Sequence, residues 1–204
     1  MPLVFKRLSL FLMSIAMVLG ADKDKSAFEP GRAMAYSTRQ TVSNVTIAAV
    51  PFENDAQARP AFGKANPYKY GVLPVLLIIE NDTAQTMNLE NMKVEFVGPD
   101  RSHVESIPPQ DVRYLRGAAK PNVMTGPLPT GGPKIGRRKN PLDTWEIEGR
   151  AFSARMLPAG QRATGFFYFQ TGMRRNSQIY LTGIREAASG KELFYFEIPL
   201  DADR

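Results

Sequence analysis

No cysteine occurs anywhere in the 204 residues, and that absence excludes more chemistry than any motif in the chain supplies. Disulfides, thiolate metal sites, cysteine nucleophiles and thioether lipidation are all ruled out. Small exported domains often use disulfides as staples, so this chain must be held by its core alone. A chain of this size can do so, because it buries well over half of its unfolded surface. Histidine is nearly as scarce, with His103 the only one. Imidazole-rich metal sites are therefore excluded, and a Ser-His-Asp triad would need His103 as its base. That residue follows Asp100 and Ser102 just past a turn, where a solvated hairpin residue is the expected occupant. No Asp-x-Asp-x-Asp-Gly calcium loop is present. Gly126 to Lys134 is not a phosphate loop either: Gly132 stands where a Walker lysine is needed, and Pro127, Pro129 and Pro133 lack the N–H groups of a phosphate cradle. Neither cofactor nor metal is expected.

Long hydrophobic runs are missing too. The longest apolar-rich stretch, Leu8 to Leu19, is too short for a comfortable membrane span. It follows Lys6 and Arg7, and Val18-Leu19-Gly20 leads into the polar run from Ala21 to Ser26. This is the pattern of a secretory signal over residues 1–20, cleaved between Gly20 and Ala21, with no integral span remaining. A cysteine-free exported chain fits a bacterial envelope better than a eukaryotic extracellular space, so the expected location is periplasmic or secreted.

What is present in excess is positive charge, 26 Lys and Arg against 20 Asp and Glu, a net +6 that falls to +4 once Lys6 and Arg7 leave with the signal. The excess is concentrated. From Asp111 to Pro141 there are seven basic residues and one acid. Within that stretch Gly117 to Asn140 is rich in Gly and Pro and reads as a long exposed loop. Lys134, Arg137, Arg138 and Lys139 are its candidate anion-binding residues, for lipid headgroups or glycans. A solvated loop explains the same charges. Nucleic acid is not an expected partner, because export argues against it and no aromatic-rich RNA-binding strand accompanies the basic residues.

Residues 21–40 are polar and carry no sustained period, which reads as a flexible leader, followed by one domain over 41–204. Val45, Ile47 and Ala49 alternate up to Pro51, a strand pattern. Asn54 to Tyr70 reads as a polar connection. Gly71 to Glu80 is apolar on both faces and predicts an interior strand stopped by Asn81-Asp82-Thr83. Met92–Val97 and His103–Ile107 predict a hairpin about Gly98-Pro99-Asp100-Arg101. Leu142, Trp145, Gly149, Phe152 and Met156 recur at three and four, which predicts a helix with Asp143 as N-cap and Glu146 completing a capping box. Burial of Trp145 under that helix would make Trp145→Ala cost about 3–5 kcal/mol. Arg162–Gln170 is a second two-faced strand. Gln178–Arg185 and Glu192–Pro199 predict a hairpin, with Phe194, Phe196 and Ile198 on one face and Leu193, Tyr195 and Glu197 on the other.

These elements predict a mainly β fold, an immunoglobulin-like antiparallel sandwich with one covering helix and a long basic loop. Val75 to Thr83, an apolar strand ending in an Asn-x-Thr turn, and Leu157-Pro158-Ala159-Gly160 before Gly165-Phe166-Phe167-Tyr168-Phe169 resemble the exported bacterial immunoglobulin-like proteins, many of them lipoproteins or secreted antigens without assigned activity. The resemblance spans Val45 to Leu200 and brings no catalytic residues with it. Ala21 departs from the lipoprotein members, which carry cysteine there.

Function is expected to be non-enzymatic: binding or structure in the envelope, with an envelope protein or glycan as partner. Tyr68 and Tyr70, with Tyr36 and Phe62, would form an exposed aromatic contact or plug the sandwich ends. The alternative is a carboxylate-dependent glycan hydrolase, which needs two acids from distant segments converging in a cleft. Glu146 and Glu148 do not fit, because residues two apart on a helix point in different directions. Asn44-Val45-Thr46 and Asn81-Asp82-Thr83 match the glycosylation sequon.

Overall fold

The computed structural model describes residues 28–115 and 140–201. The signal segment and the basic residues Lys134, Arg137, Arg138 and Lys139 lie outside the described residues. Within them the fold is mainly β, with antiparallel sheets and few helices. No helix among the described residues is long and apolar enough to cross a membrane.

One four-stranded sheet has the order β1 (Arg39–Val42), β2 (Val45–Pro51), β3 (Leu73–Asn81), β8 (Arg162–Phe169). A second has the order β11 (Phe196–Pro199), β9 (Gln178–Thr182), β5 (Lys93–Val97), β6 (His103–Glu105). A three-stranded ribbon joins β10 (Arg185–Glu186), β4 (Met87–Asn88) and β7 (Met156–Leu157). All nine residues of β3 are buried, because β2 and β8 flank it and both its faces are covered. The two-residue period of a strand divides its side chains between two cores. Val75, Leu77 and Ile79 meet Val94, Phe96, Ile179, Leu181, Phe196 and Ile198 in one cluster shared by the two large sheets. Leu76 and Ile78, with Phe166 and Tyr168 of β8, enter a second cluster on the far face.

Two short helices and the N-terminal segment cover that far face, so the single-helix expectation is corrected. The stretch read as a polar connection contains α1 (Asp55–Phe62) and a 3-10 turn at Pro67–Tyr70. Asn54 caps α1, its side-chain oxygen accepting from the Gln57 amide at 3.0 Å. Pro60 costs the helix a hydrogen bond. Burial of Ala58, Ala61 and Phe62, spaced at three and four, offsets it. The leader is also packed from Phe28 onward. The Phe28 ring lies 5.9 Å from that of Phe52 and 5.7 Å from that of Phe166, Ala33 is fully buried, and β1 pairs with β2.

The predicted Trp145 helix is the largest correction. Only α2 (Trp145–Gly149) is helical, and its N-cap is Thr144, not Asp143. The Asp143 carboxylate pairs instead with Arg113, which also binds Glu148. Trp145 is 67% exposed, whereas Ile147 is buried and Leu142 packs beside it. Tyr168, whose pKa burial pushes up, donates its hydroxyl to the Ile147 carbonyl at 2.7 Å. Beyond Gly149 the backbone leaves the helix because the edge of β8 offers it partners: the Phe166 amide donates to Arg150 O at 2.9 Å and the Phe152 amide to Phe166 O at 3.0 Å. A tertiary strand edge thus overrides the helical spacing. Trp145→Ala should therefore cost less than about 1 kcal/mol, while Ile147→Ala should cost about 2–5 kcal/mol. Urea unfolding of the two variants checks this, and the reverse ranking would overturn the placement of α2.

The β5–β6 hairpin forms as expected, Val97 opposite His103. The last hairpin is modified. β9 pairs with β11, but the chain between them detours through β10, so Phe194 lies before the strand and is 78% exposed.

Candidate functional site

Strand alternation on the second sheet puts Val94, Phe96, Ile179, Leu181, Phe196 and Ile198 into the core. The residues between them face the other way. The register sets Glu197 opposite Tyr180, Tyr180 opposite Glu95 and Glu95 opposite Glu105, one row across all four strands. Beside this row the His103 ring meets that of Tyr180 edge-on at 6.2 Å, and Tyr180 lies 5.6 Å from Tyr195. His103 Nδ1 sits 2.7 Å from Glu95 Oε2. Tyr195 is half exposed, and Phe194 stands free next to it.

Local chemistry holds this face in place. Asp100 stitches the β5–β6 turn. The Ser102 hydroxyl and amide, with Arg174, hold the Asp100 carboxyl down at about 2, which fixes the turn that delivers His103. At the other edge the Glu197 amide donates to Gln40 Oε1 at 2.7 Å and ties β11 to β1. The result is an aromatic surface with carboxylates along it. Such a surface stacks on apolar or planar groups, attracts cations to its ring faces and accepts hydrogen bonds.

Tyr68 and Tyr70 do not belong to it. Tyr68 packs on the inter-sheet cluster and its hydroxyl accepts from the Met173 amide at 3.2 Å. Tyr70 packs on the far-face cluster, as do Tyr36 and the buried Phe62. Tyr68 and Tyr70, expected either as an exposed aromatic contact or as plugs of the sandwich ends, are each half-buried against a different core cluster. His103 is the exposed hairpin residue expected. The strand parity that opposed Tyr195 and Glu197 to Phe196 was readable in the sequence, but their convergence with Tyr180, Glu95 and His103 depends on a strand order that does not follow the chain.

Clefts among the described residues lie elsewhere, two of them lined by charged side chains. One, of about 350 Å³, is lined by Arg32, Glu80, Asp82 and Arg162. Glu80 is the only buried carboxylate among the described residues. Its oxygens are taken by the Arg32 guanidinium at 3.1 and 3.5 Å. The buried acidic pair that a glycan hydrolase needs is therefore not assembled among the described residues. Nor do these residues include a group of three or more Asp, Glu or His placed to hold a metal. The other cleft, about 450 Å³, carries Arg59, Lys64 and Lys69 around Asp55. Hydrogen bonds from Lys69 and Asn66 lower the Asp55 pKa.

No family model and no curated protein matches the chain. Among solved structures it is similar to the crystal structure of a functionally unknown protein from Listeria monocytogenes EGD-e, at 13% identity over 80% of each chain and a TM-score of 0.34.

Proposed function

We propose that the protein is an exported, non-enzymatic binding module of the bacterial envelope, an immunoglobulin-like sandwich that docks a partner on the outer face of its second sheet. The observation that carries this reading is the solvent-facing row Glu197–Tyr180–Glu95–Glu105 with Tyr195 against Tyr180 and the exposed Phe194 as its chain neighbour. Aromatic rings exposed on a rigid sheet lose little conformational entropy on binding, which makes them efficient contacts. The two large sheets sharing one apolar cluster support the sandwich architecture. The signal-like start of the chain supports export.

Site-specific photocrosslinking in the native envelope tests it. A benzophenone side chain at Phe194 should give one discrete adduct, and Tyr180→Ala with Tyr195→Ala should abolish that adduct while the protein stays folded. The same probe at Arg59, on the exposed part of α1, should give none. Equal crosslinking from both positions, or no adduct from Phe194, would remove the outer face as the docking site.

A further inference from the structure

Arg150 immediately follows α2, where the chain leaves the helix to run along β8, and it is half-buried. Its guanidinium lies over the Phe28 ring, 5.3 Å from the centroid. Its Nε is shut off from solvent and has no hydrogen-bond partner. No Asp or Glu among the described residues pairs with it. A half-buried cation without an anion is expensive, and an unpaired donor adds to the cost. The side chain also borders a cavity of about 230 Å³ that Ser153 and Thr164 help to line and whose apolar lining includes Phe28, Leu76 and Phe166.

We infer that this cavity is a binding site for a small organic carboxylate bearing a short apolar substituent. One fixed cation calls for one negative charge, and a planar guanidinium matches a carboxylate in shape and in paired donors. Ser153 and Thr164 supply further donors to its oxygens. The aromatic and leucine walls take the apolar substituent. At about 230 Å³ the cavity has room for a short acid or the last residue of a peptide and is smaller than the usual site of a drug-sized ligand. The site lies on the opposite sheet from the docking face and does not depend on it.

Titration of the isotope-labelled full chain, followed by backbone amide NMR shifts, tests the site with butyrate and benzoate as probes. Saturable shifts are expected at Gly149, Ala151 and Gly165, and inorganic phosphate should bind more weakly. A peptide ending in phenylalanine with a free carboxylate, compared with its amidated form, separates a peptide terminus from a free acid. Arg150→Met should weaken butyrate binding by about tenfold or more. If that variant fails to fold, Ser153→Ala with Thr164→Val, both at exposed positions, should weaken binding several-fold in a folded protein. Absence of saturable shifts into the millimolar range overturns the assignment, as does unchanged affinity in the folded variants.

Discussion

Asn81→Ala should lower stability by about 3–4 kcal/mol, well beyond the usual effect of deleting one polar side chain. Asn81 is fully buried at the end of β3. Its side-chain amide donates to the carbonyls of Gln85, Leu157 and Pro158 at 2.7, 3.0 and 3.1 Å. Its oxygen accepts from both the amide and the hydroxyl of Thr83. Alanine would delete five hydrogen bonds of a buried side chain, each worth about 0.5–1.5 kcal/mol, and unlock the turn as well. Asn81→Asp should be at least as damaging at neutral pH, because an anionic oxygen would then face the two carbonyls of the Leu157-Pro158 turn. A shift in urea midpoint with an unchanged slope is the expected readout. A loss below about 1 kcal/mol would mean that water replaces the amide and that Asn81 does not pin the turn. The same bonds engage the nitrogen that a glycan would need, so of the two sequons only Asn44, in an exposed turn, presents its side chain to solvent.

That hub shows how much could be read from the chain. The apolar strand, its Asn-x-Thr stop and the Leu-Pro-Ala-Gly turn were each recognisable from short-range pattern, since strand alternation and turn chemistry are local properties. Their connection was not, because the amide spans 76 positions of sequence to reach Leu157. The errors elsewhere have equally specific causes. Pro60 hid α1, although Ala58, Ala61 and Phe62 carried the right spacing and Asn54 the right cap. The stripe through Trp145 and Phe152 mimicked a helix, yet Phe152 stacks on Phe167 at 5.4 Å as part of an extended segment. Arg150 gave no signal at all. Its place in the site depends on the Phe28 ring, 122 positions away in sequence, and on no acid among the described residues pairing with it, neither of which is a local property.

The proposed docking face was half legible for the same reason. Alternation assigns Tyr195 and Glu197 to the outer side of the last strand, and a hairpin places His103 near a turn. The row itself requires β9 to lie between β11 and β5. It also requires the chain to leave β9, visit the ribbon and return without shifting the register that aligns Tyr180 with Glu95.

Gly183→Ala should therefore be among the most disruptive single substitutions, costing about 3–4 kcal/mol. Gly183 makes the exit from β9 at a φ of 84°. A side chain there meets two separate penalties. An L-residue in the left-handed region costs roughly 1–2 kcal/mol. A Cβ would also stand 2.2 Å from the Asn91 carbonyl oxygen and 2.9 Å from its carbon. Those atoms belong to the backbone entering β5, so no side-chain rotation relieves the contact, and overpacking of this kind typically costs about 1–3 kcal/mol more. Gly190 separates the two terms. Its φ of 71° is similar, but nothing lies within 4 Å of an added Cβ, so Gly190→Ala should lose only the backbone term of about 1 kcal/mol. Chemical denaturation of both variants gives the difference, and equal losses would show that the Asn91 segment yields. If it does not yield, relief must come from moving β5 against β9, which separates Glu95 from Tyr180. The Gly183 variant should then lose the Phe194 crosslink under conditions where it is still folded, and the Gly190 variant should keep it.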